Sequence, residues 1–484
     1  MIKSLKVNFI YNLLNSLTSL LFPLIAFPYA TRIMLADGIG IVSFYQSIIQ
    51  YITLLTSLGI PLYAIRKIAK IRDDIDELRK VTTEILLLST ILVIGGYLLV
   101  VVLVSTVSEI QANVSLFLFL SLTILFNTIG CEWFYQGIEE FKYITIRGLI
   151  IKTVSLILLF LFVKTKEDIM WYAAYTVFGV LGGNLFNFVR LRKYIDVRKI
   201  SIKTLHPFRH LKPALHIFIL NLIISIYVYL NTAMLGFMSD TISVGFYTAA
   251  SKLSHVLLIL VSALGTVMLA RLSNLVESDQ KERFVNLSHK ALTFVLAITI
   301  PLSVGMFLTA PYLIELFCGV EFVQATQALK ILSPLVFVIG LSNALGIQIL
   351  YPQGQENKVI LCTAIGAISN FFLNLWLIPK YDYNGAAIAT LVAEILVTAS
   401  MMILGRKYIL FNWGSRTVLN YVFAVLLMSI GVIMSLTLEL SAIANIVWAV
   451  IVGGIIYFAW LIIIKDKLLI EVLSIIKNYC RSTK

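Results

Sequence analysis

The 484-residue chain predicts an all-α polytopic membrane protein: 14 transmembrane helices, as two six-helix lobes related by a parallel repeat plus two extra C-terminal helices. Three observations predict it. Apolar stretches long enough to cross a bilayer as helices, ~20 residues each, fill nearly the whole chain. Hydrophobic residues make up 60% and charged residues only 13%, with a mean hydropathy of +0.95; a soluble protein carries roughly a quarter charged residues. Lys and Arg collect on alternate connections. A net charge of +13 would suggest nucleic acid in a soluble protein. Here it sorts to one side of a membrane, and no nucleic-acid partner is expected.

The spans read 9–30, 41–62, 81–105, 113–136, 144–163, 169–189, 213–238, 245–270, 290–312, 326–350, 358–379, 384–405, 416–438 and 443–464. The first is too long for a cleavable signal, contains Pro23 and Pro28, and lacks a small-x-small cleavage site. It carries Asn8, Asn12, Asn15 and Ser19. The second carries Ser43, Gln46, Gln50, Thr53 and Ser57 at helical spacing. The seventh has Asn221, Ser225, Tyr229 and Thr232; the eleventh Thr363, Gly366, Asn370 and Asn374; the twelfth Thr390, Glu394 and Thr398. Residues three and four apart share a helix face, so each set forms one stripe. Small and polar residues also glue membrane helices together. Repeated Gln and Asn favour a wet cavity more strongly, because amides have several donors and acceptors to satisfy.

With the N-terminus inside, the inner connections, both tails and their flanks hold 31 Lys/Arg. The outer connections hold four, Arg32, Lys164, Lys166 and Lys380, and Lys152, Lys252 and Lys330 lie within spans. That asymmetry orients the chain with both termini cytoplasmic. The longest inner connection, 190–212, carries eight Lys/Arg and one acid, Asp196. It reads as a basic linker at the anionic lipid surface. The expected domains are an N-terminal six-helix lobe (1–189), the linker (190–212), a C-terminal six-helix lobe (213–405), and helices 13 and 14 with a cytoplasmic tail (406–484).

Two internal matches support duplication. Gly40 and Arg66 bracket span 2 as Gly245 and Arg271 bracket span 8, an offset of 205. The run Gln136-Gly137-Ile138-Glu139 matches Gln353-Gly354-Gln355-Glu356 at an offset of 217. Lobes of six helices have the same topology, hence parallel repeats about an axis normal to the membrane. The cysteines Cys131, Cys318, Cys362 and Cys480 form no CxxC pair, so neither a disulfide framework nor a metal site is expected.

Charge inside the spans is the sharper signal. Lys152, Lys252, Lys330, Glu132 and Glu394 fall inside or near the ends of spans, and Arg32 sits at the outer end of the first. A charge at the bilayer centre costs at least ~2.5 kcal/mol, so it normally faces a cavity or a partner. Lys330 and Arg32 are also placed to snorkel to headgroups, and Glu132 is near the inner surface. Four cations against two acids suit an anionic substrate; alternatively Glu132 and Glu394 neutralise two of the lysines. For Glu394, a lysine-partner role and a proton-coupling role both stay open. The expected cavity residues are Arg32, Lys152, Lys252, Lys330, Gln46, Gln50, Asn221 and Asn370, with Glu132 and Glu394 as charge partners or coupling groups. No catalytic residue and no cofactor is expected.

The run Pro28-Tyr29-Ala30-Thr31-Arg32-Ile33-Met34-Leu35, then Gly40, Ser57-Leu58-Gly59-Ile60-Pro61 and Ile65-Arg66-Lys67-Ile68-Ala69, resembles the opening of the Wzx-type polysaccharide flippases. So does Glu132-Trp133-Phe134-Tyr135-Gln136-Gly137-Ile138-Glu139-Glu140-Phe141, with Arg147 and Lys152 following. Phe322, Ala328 to Pro334, and Asn384 to Thr390 with Glu394 fit the same pattern. Met34 stands where valine is usual and Ala36 where glycine is usual. The family belongs to the multidrug/oligosaccharidyl-lipid/polysaccharide exporter superfamily. The resemblance implies two lobes around a central cavity in a bacterial cytoplasmic membrane. It implies a flippase moving an undecaprenyl-pyrophosphate-linked oligosaccharide to the outer leaflet for O-antigen or capsule assembly. It further implies membrane lipids, a polysaccharide polymerase and a chain-length regulator as partners. One rival is a multidrug or other small-molecule exporter of the same superfamily, which should need acids more than bases. Another is a membrane polymerase or glycosyltransferase, an enzyme. That needs a substantial outer loop or an acid constellation, and the longest outer connection, near 312–325, holds only Glu315 and Glu321.

The charge asymmetry generates a topology test. Single cysteines at Ser239 and Ser441 should react with an impermeant thiol reagent from outside. Cysteines at Ser201 and Ser482 should react only after permeabilisation, and outside labelling of Ser201 would refute the orientation.

Overall fold

The computed structural model describes residues 5–195, 202–409, 416–438, 440–466 and 468–471. Sixteen α-helices account for nearly all of them: α1 (Leu5–Ser57), α2 (Ile60–Ile71), α3 (Ile75–Thr106), α4 (Ser108–Gln111), α5 (Val114–Ile129), α6 (Glu132–Gly137), α7 (Phe141–Phe162) and α8 (Ile169–Leu191) come first. Then follow α9 (Leu211–Met238), α10 (Thr241–Glu277), α11 (Lys281–Cys318), α12 (Ala325–Leu332), α13 (Leu335–Asn343), α14 (Glu356–Gly405), α15 (Arg416–Leu436) and α16 (Ala442–Ile463). A π-helical turn, Ala344–Leu350, continues α13. Hydrocarbon offers the backbone no hydrogen-bond partner, so a chain this apolar meets its amides and carbonyls within helices. The protein is a multi-pass, all-helical membrane protein. Among the described residues, ten helices are long and apolar enough to cross a bilayer.

Ten is fewer than the 14 spans expected from sequence, and the longest helices account for part of the difference. The apolar stretches Leu21–Ile71 and Glu356–Gly405 run to 51 and 50 residues, more than twice the ~20 needed for one crossing. Each is interrupted: α1 at Leu35 (φ 56°) and α14 at Asp382 (φ 54°). A positive φ on a residue with a Cβ breaks the helical repeat.

Local chemistry places the helix ends. Asp74 caps α3 by accepting the N–H groups of Asp76 and Glu77, whose acids suit the positive end of the helix. Asn113 caps α5 and Ser441 caps α16 in the same way. The Asp168 carboxylate accepts the N–H groups of Lys164 and Thr165, which holds its acid below the usual range. The two Gln-Gly segments also share a turn. Glu140 N–H bonds the Tyr135 carbonyl at 2.8 Å across Glu139 at φ 59°. Gln355 N–H bonds the Leu350 carbonyl at 3.0 Å across Gly354 at φ 68°. This is the left-handed helix stop with its six-to-one bond. The shared geometry is two residues out of step with the shared letters: Glu139 corresponds to Gly354, an offset of 215 rather than 217.

The chain forms two compact units, Met1–Gly245 and Phe246–Lys484. In the first, α2, α3 and α6 bury Ala64, Ile68, Val81, Ile85, Phe134 and Tyr135 together. A cluster of charge sits beside this core. Glu84 on α3 is wholly buried and accepts the His206 N–H at 2.9 Å. Its other oxygen lies 2.9 Å from His210 Nε2 and pairs with Arg209. The Tyr63 hydroxyl of α2 lies 2.7 Å from His210 Nδ1. Residues 206–210, which lead into α9, are thereby tied to α2 and α3. Within the same unit, a Cβ added at Gly40 would overlap the Thr241 carbonyl, and one at Gly245 would overlap the Ala36 carbonyl. The Thr241 hydroxyl also donates to Asp37. Only glycine permits backbones this close. In the second unit, Leu292, Leu341, Leu345, Val397 and Met401 form one core. Tyr421, Met428 and Tyr457 of α15 and α16 pack with Leu296 of α11 in another.

Two predictions come from these contacts. Gly40→Ala should lower the thermal stability of the purified protein by about 1–3 kcal/mol, as overpacking does, because a carbonyl cannot yield like a side chain. Gly95→Ala, where an added Cβ meets nothing within 4 Å, is the control; equal losses would refute the close-approach reading. The second concerns pH. Burial pushes His210 below its ordinary value of 6.5, and Glu84 opposes this only in part. The released segment then binds more protons than the docked one below about pH 6.5, so docking weakens as pH falls, by at most ~1.4 kcal/mol per unit. Hydrogen exchange of residues 202–210, corrected for intrinsic pH effects, should rise on acidification. His210→Gln should flatten that response, and a pH-independent wild type would contradict it.

Candidate functional site

Several hydroxyls of the polar stripes satisfy themselves within their own helices. Thr53 donates to the Ile49 carbonyl at 2.8 Å, Ser57 to Leu54 at 3.1 Å, Thr363 to Val359 at 2.9 Å and Thr390 to Ala386 at 2.7 Å. A hydroxyl bonded back to the preceding turn needs no other partner in an apolar setting. Amides carry more donors and acceptors than one such bond can meet. Gln46 and Gln50 are half-buried on α1. Asn370 on α14 is fully buried and accepts from Asn374 at 3.2 Å, while its own amide nitrogen finds no partner among the described residues. The side chain of Asn221 lies outside the described residues.

In the first unit, α1 and α7 turn polar faces toward each other. Lys152 Nζ on α7 donates to Ser19 Oγ on α1 at 2.7 Å and lies 3.5 Å from Thr18 Oγ1. Thr145, two turns earlier, donates to the Tyr11 carbonyl at 2.8 Å. Between them Gly148 leaves room for Asn15, whose amide oxygen would lie 3.3 Å from an added Cβ. The Lys152 ammonium meets only hydroxyls and makes no ion pair among the described residues. A half-buried cation held by two neutral oxygens keeps its charge available to an anion.

Glu132, on α6, pairs with Arg147 of α7 at 2.9 Å and accepts from Gln136 at 3.2 Å. Its ion-pair partner is therefore an arginine rather than one of the lysines. Sequence reasoning placed Arg147 in a motif but not among the site residues. The available signal was its position on α7, one turn beyond Tyr143 and five residues before Lys152. Arg32 is exposed and donates to the Pro28 carbonyl at 2.8 Å.

In the second unit, Lys252 lies on α10 and is exposed. Lys330 of α12 stands over the Phe307 ring at 5.7 Å, a cation–π distance. Glu394 is buried on α14, where Thr390 meets the Tyr247 hydroxyl at 3.1 Å and Thr398 donates to the Glu394 carbonyl at 2.9 Å. An apolar cavity of about 520 Å³ is lined by α11, α15 and α16, including Phe294, Ile298, Val432 and Val450. Its chemistry suits a hydrocarbon chain. Among the described residues no group of His, Cys, Asp and Glu could hold a metal.

A family model described as polysaccharide biosynthesis protein matches residues 5–276, more than half of the chain. The chain is 26% identical over 408 residues to an Escherichia coli (strain K12) protein named "Putative O-antigen transporter", covering 84% of this chain and 97% of the relative. Among solved structures it is similar to the lipid II flippase MurJ in an inward closed conformation: TM-score 0.72, 16% identity, 95% of this chain and 100% of that one. It is also similar to an inward-facing multidrug resistance MATE family transporter of the MOP superfamily: TM-score 0.60, 14% identity, 79% and 94% covered. At those identities the structural likeness is one of fold, whereas the family match rests on the sequence itself: the chain belongs to the polysaccharide biosynthesis protein family.

Proposed function

We propose that the protein is a flippase. It moves a lipid-linked oligosaccharide, carried on undecaprenyl pyrophosphate, from the cytoplasmic to the outer leaflet of a bacterial cytoplasmic membrane for O-antigen or capsule assembly. The relative named as an O-antigen transporter supports the class of substrate. The observation that carries the reading is Lys152, a half-buried ammonium held by the Ser19 and Thr18 hydroxyls with no ion pair among the described residues. A pyrophosphate and its sugars do not cross hydrocarbon unaided. A charge-assisted contact replaces part of the hydration that the phosphate gives up.

In this reading Arg32, Lys152, Lys252 and Lys330 with Gln46, Gln50, Asn221 and Asn370 line the path, and Glu132 and Glu394 are charge partners or coupling groups. The chain crosses the membrane 14 times with both ends in the cytoplasm. The breaks at Leu35 and Asp382, each inside a stretch long enough for two crossings, support that count. Residues 1–189 and 213–405 are parallel repeats joined by the basic linker, and the two extra helices and tail follow. The reciprocal approach of Ala36 to Gly245 and Thr241 to Gly40, offset by 205 each way, supports duplication. Transport is by alternating access, with Pro23 and Pro28 allowing the first helix to bend.

Export of a surface glycan in a strain lacking its own copy tests the proposal. Lys152→Ala and Lys252→Ala should each cut export about ten- to a hundredfold, the value of one charge-assisted contact at ~1.5–3 kcal/mol. Lys252→Arg should be milder, since the charge stays while the geometry changes. Both proteins should still insert. Wild-type export by both alanine variants would rule out the cationic path.

A further inference from the structure

The first unit holds a second cationic site that the transport path does not use. Packing of α7 against α8 leaves a groove of about 430 Å³. One end is basic: Lys142, Arg147 and Arg190 line it, opposed within the lining by Glu140 alone. Tyr143 stands between the two arginines, its ring centre 3.9 Å from the Arg190 guanidinium carbon and 5.7 Å from that of Arg147. Glu140 is 3.7 Å from Arg190, a long contact. Arg147 spends one nitrogen, Nη2, on Glu132.

The remaining donors point to a ligand. The Arg147 side chain is nine-tenths buried, yet its Nε and Nη1 make no hydrogen bond among the described residues, nor does Nε of Arg190. Buried donors left unmet are unfavourable, and planar guanidinium donors suit the oxygens of an oxyanion. An oxyanion with several acceptor oxygens, such as a phosphate, would meet both arginines and Lys142 together.

The other end of the groove is apolar and open. Ile146, Ile150 and Phe186 line it at 43%, 57% and 58% exposure. From Lys142 to Ile150 the helix rises ~12 Å, close to the ~15 Å of one leaflet's hydrocarbon. Charge at one end and an open apolar wall at the other, rising ~6 Å from Ile146 to Ile150, match an amphiphile. The apolar wall carries no side-chain donor or acceptor for sugar hydroxyls. Arg190 also opens the basic stretch 190–212, with its eight Lys/Arg, which in the proposed topology faces an anionic lipid surface. The geometry points to a binding site for an anionic phospholipid: its phosphate sits between Arg147, Arg190 and Lys142, and an acyl chain lies along Ile146, Ile150 and Phe186.

The site is read without any transport assay, so its failure and that of the flippase reading are separable. The full-length protein, delipidated in detergent, is titrated with phosphatidylglycerol and followed by native mass spectrometry. One tightly retained lipid is expected, with phosphatidylethanolamine at least about tenfold weaker. Arg190→Gln should weaken retention about tenfold or more, as loss of one charge-assisted contact does. Lys142→Gln serves as the second variant; Lys142 is exposed and makes no ion pair among the described residues, so folding should not depend on it. Retention unchanged in both variants, or equal for the two phospholipids, would overturn the site. Tighter binding of undecaprenyl pyrophosphate than of phosphatidylglycerol would overturn its assignment to a membrane phospholipid.

Discussion

Hydrocarbon cannot hydrogen-bond, and the rest of this structure depends on that constraint. Every amide and carbonyl in the bilayer interior has to be met by the protein itself, and the helix does so within one segment. The same rule governs the side chains. Ser and Thr along the spans donate to carbonyls three or four residues back, so they enter apolar surroundings without requiring a partner elsewhere. Asn and Gln are harder to satisfy alone. Asn370 and Asn374 are fully buried and bond to each other, and Asn187 reaches the Gly130 carbonyl at 2.7 Å.

Charge obeys the rule more strictly, and the protein meets it in different ways. Glu84 is enclosed by a histidine, an arginine and a backbone N–H, and this ties the segment before α9 to α2 and α3. Glu132 is matched by Arg147. Lys152 is held by hydroxyls, which orient the ammonium without neutralising it. A fully paired group has its charge matched within the fold, and removing one partner would leave an uncompensated charge. A cation met by neutral oxygens remains able to attract an anion, and that distinction separates the structural ionisable groups here from a candidate binding group.

Close helix approach is the second device, and glycine makes it possible. Gly40 and Gly245 sit where any side chain would collide with a backbone carbonyl. Gly96 similarly faces Thr56, and Gly183 admits the Arg147 side chain between α7 and α8. Without a hydrophobic force to press helices together inside lipid, tight van der Waals contact between small residues supplies the association.

The apolar runs and the helical character were legible in the sequence, because each depends on residues within one or two turns. The family was legible too, through short motifs that keep their spacing. What the tertiary structure decided were the pairings: Lys152 with Ser19 across 133 residues, Glu84 with His210 across 126, and Arg147 opposite Glu132 rather than any lysine. The letters Gln-Gly suggested a repeat offset of 217, but the left-handed turn sits at 215, because φ > 0 is a property of where the helix stops and not of the residue that stands there. Hydropathy is additive along a segment and so can be read from sequence. Which charge meets which depends on how helices distant in sequence pack, and only the folded chain fixes that.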